Sequence, residues 1–177
     1  VLPRAFDEGF DTILKIHTKR SNHLKKNEIW RTDLFEKLMG NSAINNAIQI
    51  FNSHKEIGIL GPVGHILPMS FYYGANSGRV EMLSNKMGLK SSQLSDFHFV
   101  AGTMFYARKD ALLPLLNLGL TPNDFEPEEK QLDGTMAHAL ERAFTSSLMV
   151  SGLILADTSS TAEKISCRID LNYKFAI

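Results

Sequence analysis

The sequence predicts an α/β fold in which a mixed sheet is flanked by helices. Short apolar runs of strand length alternate along the chain with longer segments whose apolar residues recur at helical spacing. Glycine and proline mark several of the boundaries, as in the Gly61-Pro62 pair. Because no internal repeat, low-complexity tract or linker interrupts the alternation, we expect residues 1–177 to form a single domain.

Five segments have the pattern of strands. The first, residues 12–16, alternates its side chains between two faces, with Leu14 on one and Lys15 and His17 on the other. A polar loop to Asn27 follows it. Residues 57–60 form an apolar run that ends at Gly61. Further strands are predicted at 97–100, 104–107 and 153–156. We expect the main sheet to include the strands that end at His17 and near Leu60, together with the two segments that flank Gly102.

Five segments have the pattern of helices, at 30–39, 44–51, 80–87, 111–118 and from 135 to about 147. Gly40 and Gly119 follow two of them, at a position where glycine often ends a helix. In the second helix we expect the apolar residues to share one buried face; they are Ile44, Ala47, Ile48 and Phe51. Residues 63–75 and 121–132 show no clear period and are predicted to be loops.

The composition is that of a globular protein and excludes several classes. Hydrophobic residues make up 44% and charged residues 21%, and the formal net charge is zero, which offers no argument for nucleic acid as a partner. A single cysteine, Cys167, rules out an intramolecular disulfide and a cysteine-based zinc site. No apolar run reaches the roughly 18 residues of a membrane span. The chain begins without an initiator methionine or a signal-peptide pattern, so we expect it to start inside a longer protein.

Opposite charges are concentrated in two segments. Residues 15–31 contain six basic side chains and one acid, Glu28, whereas residues 124–133 contain five acids and one base, Lys130. A neutral protein built in this way can present both signs inside one cleft. The alternative is a pair of solvated loops of opposite charge.

Three motifs, taken in order, resemble the rhamnan-synthesis F family of polysaccharide glycosyltransferases. They are KIHTKRS at 15–21 with Trp30-Arg31 behind it, FVAGTMFYAR at 99–108, and DGTMAHALER at 133–142. Smaller matches are IGILGP at 57–62, Asn76 before a helix, and LGL at 118–120, so the resemblance extends from residue 1 to about 156. The family has a glycine close before the Trp-Arg pair, where this chain has Asn27-Glu28-Ile29.

The resemblance implies the acceptor-side half of a GT-A-like glycosyltransferase fold. The family's first nucleotide-binding strands and its Asn-Arg-Gly-Arg-Asp-like motif would precede Val1. The implied reaction moves a rhamnose-like sugar from a nucleotide sugar, dTDP-rhamnose, to a growing surface polysaccharide or lipid-linked glycan. The implied place is the bacterial cytoplasm, with peripheral association at the inner face of the cytoplasmic membrane left open.

The end of the first strand is the candidate site for the donor diphosphate. Glycosyl transfer needs a base for the acceptor hydroxyl, stabilisation of an oxocarbenium-like transition state and neutralisation of the departing diphosphate. Many GT-A enzymes use Asp-x-Asp and a divalent metal, but here the comparable position reads His17-Thr18-Lys19. Such cations cannot coordinate Mg²⁺, yet they can contact phosphate directly. We therefore expect a metal-independent site without a cofactor, with charge from Lys19 and Arg20 and a hydrogen bond from His17; solvated loop charges are the alternative.

Asp133 is the candidate catalytic base. In GT-A enzymes a carboxylate just before a helix approaches the acceptor, and Asp133-Gly134-Thr135 precedes a predicted helix. Gly134 would allow the backbone to come close to a sugar. The alternative is that Asp133 only caps that helix, since aspartate is among the best N-cap residues.

The remaining candidates would contact the acceptor or the sugar: Gly102, Thr103, Gly134, Thr135, His138 and Glu141. For His138 and Glu141, the alternative is a surface pairing with Arg142 that anchors the helix. For Gly102 and Thr103, it is a β-bulge in the core.

Two other functions remain open at the level of the sequence. One is a non-catalytic glycan-binding or assembly module of a polysaccharide biosynthesis protein. The other is a phosphate-handling hydrolase that uses His17 and Asp133, although the sequence has neither a glycine-rich phosphate loop nor a motif of metal ligands.

Overall fold

The computed structural model describes residues 2–17, 27–94, 97–127 and 133–175, and within them it confirms the α/β class. The strands are β1 (Thr12–Lys15), β2 (Ile57–Gly61), β3 (Ile66–Pro68), β4 (His98–Val100), β5 (Phe105–Arg108) and β6 (Ile154–Asp157). The helices are α1 (Leu2–Asp7), α2 (Asn27–Met39), α3 (Ala43–Ser53), α4 (Met69–Tyr72), α5 (Ser77–Lys86), α6 (Lys109–Leu116) and α7 (Met136–Val150). Short 3-10 turns lie at Gly74–Asn76, Ser91–Gln93 and Pro122–Asp124.

The main sheet is mixed and has the strand order β1-β5-β2-β6. Strand β5 runs antiparallel to both β1 and β2, whereas β6 runs parallel to β2. The carboxyl ends of β1, β2 and β6 therefore lie at one edge of the sheet, together with the amino end of β5. Ligand sites of open α/β sheets lie outside this kind of edge.

A second sheet corrects two of the predictions. Strand β4, just before Gly102, does not join the main sheet but pairs antiparallel with β3. Strand β3 lies inside residues 63–75, which were wrongly predicted to be a loop. Its Ile66 and Leu67 are buried, but three residues are too few to give a periodic signal.

The two faces of the main sheet are covered by different helices. On one face α2 and α3 bury an apolar cluster that includes Trp30, Leu34 and Ile50. On the other face α6 and α7 cover Ile59 and Phe105. Strand β2 is buried on both faces, as a central strand covered by helices should be.

The buried face of α3 differs from the prediction. Ala47, Ile50 and Phe51 point into the core, whereas Ile44 and Ile48 are 48% and 53% exposed. The spacing of i, i+3 and i+4 fitted two adjacent faces of this helix, and only the position of α2 and β2 selects one of them.

Helix α6 contains Pro114, and α7 compensates for it. Proline has no N–H and disrupts the hydrogen bonds of the preceding turn. The hydroxyl of Ser151 donates to the carbonyl of Asp110 at 2.6 Å, and Ser147 donates to the carbonyl of Ala111 at 2.8 Å. Ser147 of α7 and Ser151, which directly follows that helix, thus satisfy the carbonyls that the interrupted helix leaves open. These bonds join α6 to the helix that carries Glu141.

After β6 the chain returns across the edge of the sheet. The carboxylate of buried Asp157 holds this return by accepting hydrogen bonds from the amides of Ser159 and Arg168, at 2.8 and 2.6 Å. Further along, Ile169 forms a bridge to Ile66. Residues 158–175 are therefore packed onto the domain, and Tyr173 reaches the main core.

Within the described ranges, no helix is long and apolar enough to cross a membrane.

Candidate functional site

A tight turn between β4 and β5 lies at the carboxyl edge of the sheet. Gly102 has a φ of 82° and Thr103 a φ of 56°, so two successive residues adopt the left-handed conformation. The position of Gly102 allows only glycine, since a Cβ atom there would lie 2.6 Å from Cζ2 of Trp30. A non-glycine residue at positive φ is uncommon and strained, and such strain is typical of functional sites.

Three ionisable side chains converge on this turn. Nε2 of His17 donates to the carbonyl of Gly102 at 2.7 Å, and Nζ of Lys15 donates to the carbonyl of Thr103 at 2.9 Å. The amide of Gly102 donates to Oε1 of Glu141 at 2.6 Å. These five residues form what we call the turn cluster.

Lys15 is the half-buried cation of the turn cluster. Its ammonium group lies over the rings of Phe105 and Phe144, at 6.0 and 5.7 Å from their centroids. Burial lowers the pKa of Lys15, and the nearby carboxylate of Glu141 opposes that shift. The site thus combines a lysine ammonium group from β1 with a glutamate carboxylate from α7.

The structure brings four of the predicted site residues together in the turn cluster: His17, Gly102, Thr103 and Glu141. Lys19 and Arg20, the other members of the predicted diphosphate site, lie outside the described residues, as do 128–132 of the acidic segment.

Asp133 belongs to a second cluster, centred on Asn76. Its Oδ2 accepts from the amide of Ala75 at 3.0 Å, and its Oδ1 accepts from the side-chain amide of Asn76. Asn76 in turn accepts from the amide of Gly134 at 3.1 Å. Burial raises the pKa of Asp133, but these hydrogen bonds outweigh it and leave the pKa below its usual value. A lowered pKa weakens a carboxylate as a base.

Thr135, not Asp133, caps helix α7. The helix begins at Met136, and the hydroxyl of Thr135 accepts from the amide of His138 at 3.4 Å. The hydroxyl also lies 2.7 Å from Nδ1 of His138. The capping alternative for Asp133 is therefore wrong, because the carboxylate is held by the Ala75–Asn76 turn, 58 residues earlier in the chain.

Arg142 lies next to Glu141 of the turn cluster, and its charge helps to lower the pKa of Asp133 in the second cluster. It donates to the carbonyl of Tyr72 from two nitrogens, at 2.9 and 2.7 Å, and to the carbonyl of His138 at 2.7 Å. It also pairs with Glu141 at 3.7 Å, and it is buried. The alternative of a surface pairing is therefore wrong, because α7 presents Arg142 to α4 rather than to solvent.

A chain of four polar side chains lies next to the turn cluster. Nε1 of Trp30 donates to the hydroxyl of Tyr173 at 2.8 Å, and this hydroxyl lies 2.8 Å from Nδ1 of His65. Nε2 of His65 lies 2.6 Å from Oδ2 of Asp33. We call these residues the buried polar chain. At its outer end Lys37 and Lys174 pair with Asp33, at 2.5 and 3.2 Å.

His65 makes the stability of the protein pH-dependent. It is fully buried, and burial lowers its pKa from 6.5 to about 4, although the hydrogen bond to Asp33 works in the opposite direction. Between these values the unfolded chain binds a proton that the folded chain refuses, so stability is complete above pH 6.5 and falls as the pH drops towards 4. The gap corresponds to about 3 kcal/mol of unfolding free energy.

We expect urea denaturation of the wild type to show this loss between pH 7 and pH 4.5. His65→Gln should remove this loss from the plot of unfolding free energy against pH. The lowered pKa of Asp33, about 2, keeps that carboxylate ionised throughout this range. If the unfolding free energy of the wild type and of His65→Gln fell equally with pH, the prediction would be contradicted.

Two adjoining cavities form a groove beside α3, at the carboxyl ends of β2 and β6. They measure about 240 and 220 Å³ and share Asn46 and Ile50. Their polar lining includes the amides and hydroxyls of Asn41, Gln49, Thr158 and Thr161, and each cavity also has one charged residue, Lys37 or Glu163. Amide and hydroxyl groups both donate and accept hydrogen bonds, which suits a polyhydroxylated ligand.

Among the described residues, no group of three or more histidine, cysteine, aspartate and glutamate side chains could hold a metal ion.

The fold and the motifs agree with one protein family. The family model described as "Rhamnan synthesis protein F" matches residues 4–149, which include β1, the turn cluster and most of α7. The chain therefore belongs to the rhamnan synthesis protein F family, which is associated with polysaccharide synthesis.

Two curated relatives are both named "Uncharacterized protein WxcX" and come from Xanthomonas campestris pv. campestris, strains B100 and ATCC 33913. Each is 34% identical over 142 residues, or 80% of this chain. The chain covers 20% of the length of either relative. No solved structure matches the chain significantly.

Sequence reasoning assigned no role to Lys15, Asp33, His65 or Tyr173. For Lys15 there was a signal, since it shares a strand face with His17 and precedes it by two residues. For the other three there was none, because their partners are distant in the sequence: 108 residues separate His65 from Tyr173.

Proposed function

We propose that this chain is part of a glycosyltransferase that moves a rhamnose-like sugar from a nucleotide sugar to a growing surface polysaccharide. Membership of a family associated with rhamnan synthesis supports the general role. The convergence of Lys15, His17 and Glu141 on the Gly102–Thr103 turn supports transfer at this site. That convergence is the observation that carries the proposal.

The donor would bind along the end of β1. In this proposal His17 and the neighbouring Lys19 and Arg20 neutralise the departing diphosphate without a metal ion, as cations in contact with phosphate can do. The donor is dTDP-rhamnose, and the acceptor is a polysaccharide or a lipid-linked glycan. The reaction would take place in the cytoplasm, at or near the inner face of the membrane.

Two carboxylates are candidates for the base that takes the acceptor proton. Asp133 is the candidate from the sequence, and Glu141 is the one that lies in the turn cluster. Gly102, Thr103, Gly134, Thr135 and His138 would then surround the sugar. Activation by a positioned base needs a carboxylate within hydrogen-bond reach of the acceptor hydroxyl.

The test is transfer by the full-length protein in the presence of EDTA. We expect turnover to survive chelation, and we expect Lys19→Ala to weaken binding of the donor nucleotide by about 1–3 kcal/mol, the scale of a lost charge-assisted contact. The matched control is Lys55→Ala, which removes an exposed lysine that follows α3. Complete loss of turnover in EDTA, restored by Mg²⁺ or Mn²⁺, would show that a metal neutralises the diphosphate instead.

A second candidate function is a non-catalytic glycan-binding module, which the groove beside α3 favours. Its volume and the amides and hydroxyls in its lining suit a short saccharide. Calorimetric binding of rhamnose oligosaccharides by a full-length protein that performs no transfer would decide for this function. Transfer by the wild type would decide for the first.

A further inference from the structure

We propose that Tyr173 is a positioning residue of the turn cluster, acting through Trp30 on Gly102. As a statement about activity, the proposal rests on the proposed transferase function. As a statement about geometry, it stands on the contacts that link Asp33, His65, Tyr173 and Trp30 to the turn.

In the buried polar chain, the donor and the acceptor of each hydrogen bond can be assigned in only one way. Burial tends to raise the pKa of Asp33, but the hydrogen bonds from Lys37, His65 and Lys174 prevail and lower it to about 2, so this carboxylate only accepts. Nε2 of His65 must therefore carry a proton. His65 is neutral above its lowered pKa of about 4, which leaves Nδ1 to accept from the hydroxyl of Tyr173.

That assignment makes Tyr173 the acceptor for Trp30. Its hydroxyl gives its proton to His65 at 2.8 Å and receives the indole N–H of Trp30 at 2.8 Å. Both bonds of the hydroxyl are satisfied, and no buried side-chain polar atom among the described residues lacks a partner. The hydrogen bond to Tyr173 therefore holds Nε1 of the indole in place.

The indole then determines where the turn lies. Its Cζ2 and Cη2 atoms lie so close to Gly102 that a Cβ atom there would be 2.6 and 3.3 Å away. The amide of Gly102 donates to Glu141, and its carbonyl accepts from His17, at 2.6 and 2.7 Å. A shift of Trp30 must therefore move the groups that hold both ionisable side chains.

Tyr173 is supplied by the carboxyl-terminal return of the chain. It lies beyond residues 4–149, where the family match ends. Lys174 beside it pairs with Asp33, and Phe175 stacks on His65 with ring centroids 5.4 Å apart. The return therefore contributes a functional contact and does not only cover the core.

If Tyr173 had only a structural role, Tyr173→Phe would lower the melting temperature but leave the Gly102 turn and the turnover unchanged. This variant keeps the ring in the core and removes only the hydroxyl. Its matched control is Tyr106→Phe, which also removes a buried tyrosine hydroxyl, the one that donates to the carbonyl of Leu38. Both variants should melt at a lower temperature than the wild type, so melting alone does not separate the two roles.

Two spectroscopic readouts and one kinetic readout separate them. Trp30 is the only tryptophan among residues 1–177, so tryptophan fluorescence from this part of the protein reports its environment directly. We expect Tyr173→Phe, but not Tyr106→Phe, to shift the emission maximum and the backbone amide resonance of Gly102. In the full-length protein, Tyr173→Phe should lower turnover by roughly tenfold to a hundredfold, the effect of a small misplacement of reacting groups, while Tyr106→Phe keeps it.

An unmoved Gly102 resonance in Tyr173→Phe would overturn the proposal, as would equal turnover in the two variants. If the wild type performs no transfer, the proposed function fails, and the Gly102 resonance still decides whether Tyr173 positions the turn.

Discussion

Glu141→Gln should lower glycosyl transfer at least a hundredfold and leave the fold intact. Glutamine keeps the size of glutamate and an oxygen that can accept from the amide of Gly102, now 2.6 Å from Oε1. It cannot take a proton from the acceptor, however, and a positioned general base contributes roughly 10²–10⁴-fold in rate. The measurement is kcat with saturating donor, together with the melting temperature of the same sample.

Asp133→Asn, measured in parallel, identifies which carboxylate is the base. An amide in this place can accept from only one of its two donors, Ala75 and Asn76, so we expect a loss of about 1 kcal/mol in unfolding free energy. Its transfer rate should fall less than tenfold at a temperature where it is folded. A hundredfold loss in Asp133→Asn with normal turnover in Glu141→Gln would make Asp133 the base. Glu81→Gln, on the exposed side of α5, is the control for charge removal.

Gly102→Ala should destabilise the protein by about 2–5 kcal/mol. The left-handed backbone costs a non-glycine residue about 1–2 kcal/mol, and the new methyl group would overlap the indole of Trp30, at 2.6 Å from Cζ2. Overpacking of a well-packed position costs a further 1–3 kcal/mol or so. Urea denaturation followed by circular dichroism measures the sum.

Gly88→Ala separates the two contributions. Gly88 also has a positive φ, 94°, but a Cβ atom there would meet nothing within 4 Å. This variant should therefore lose only the backbone part, about 1–2 kcal/mol. If both variants lose the same amount, the contact between Trp30 and Gly102 does not restrict the turn.

The regular elements were predictable where they are long or well delimited. Helix α7 has a clear period, and strand β2 is an apolar run that glycine and proline end, so their positions agree with the prediction to within a few residues. Strand β3 was missed, because its three residues lie among aromatic and glycine residues that have no period. Local spacing also predicted a buried face of α3 that includes Ile44 and Ile48, which are exposed, because only the contact with α2 and β2 distinguishes the two adjacent faces.

The candidate site was predictable in part. Short motifs drew attention to His17, Gly102 and Glu141, and the structure places all three in one cluster. The motif around Asp133 was also visible, but its partners Ala75 and Asn76 were not, because they belong to a region without a recognisable pattern. A motif indicates which residues to consider and does not say which of them meet.

By itself the sequence determined the α/β class, the order of most elements and the family. These depend on local periodicity and on short motifs, which can be read within a window of about 20 residues. Only the tertiary structure decided that Lys15 and Glu141 share a site and that Tyr173 holds Trp30, across 143 residues of sequence. Contacts at such separations follow from strand order and helix packing, and no local pattern encodes them.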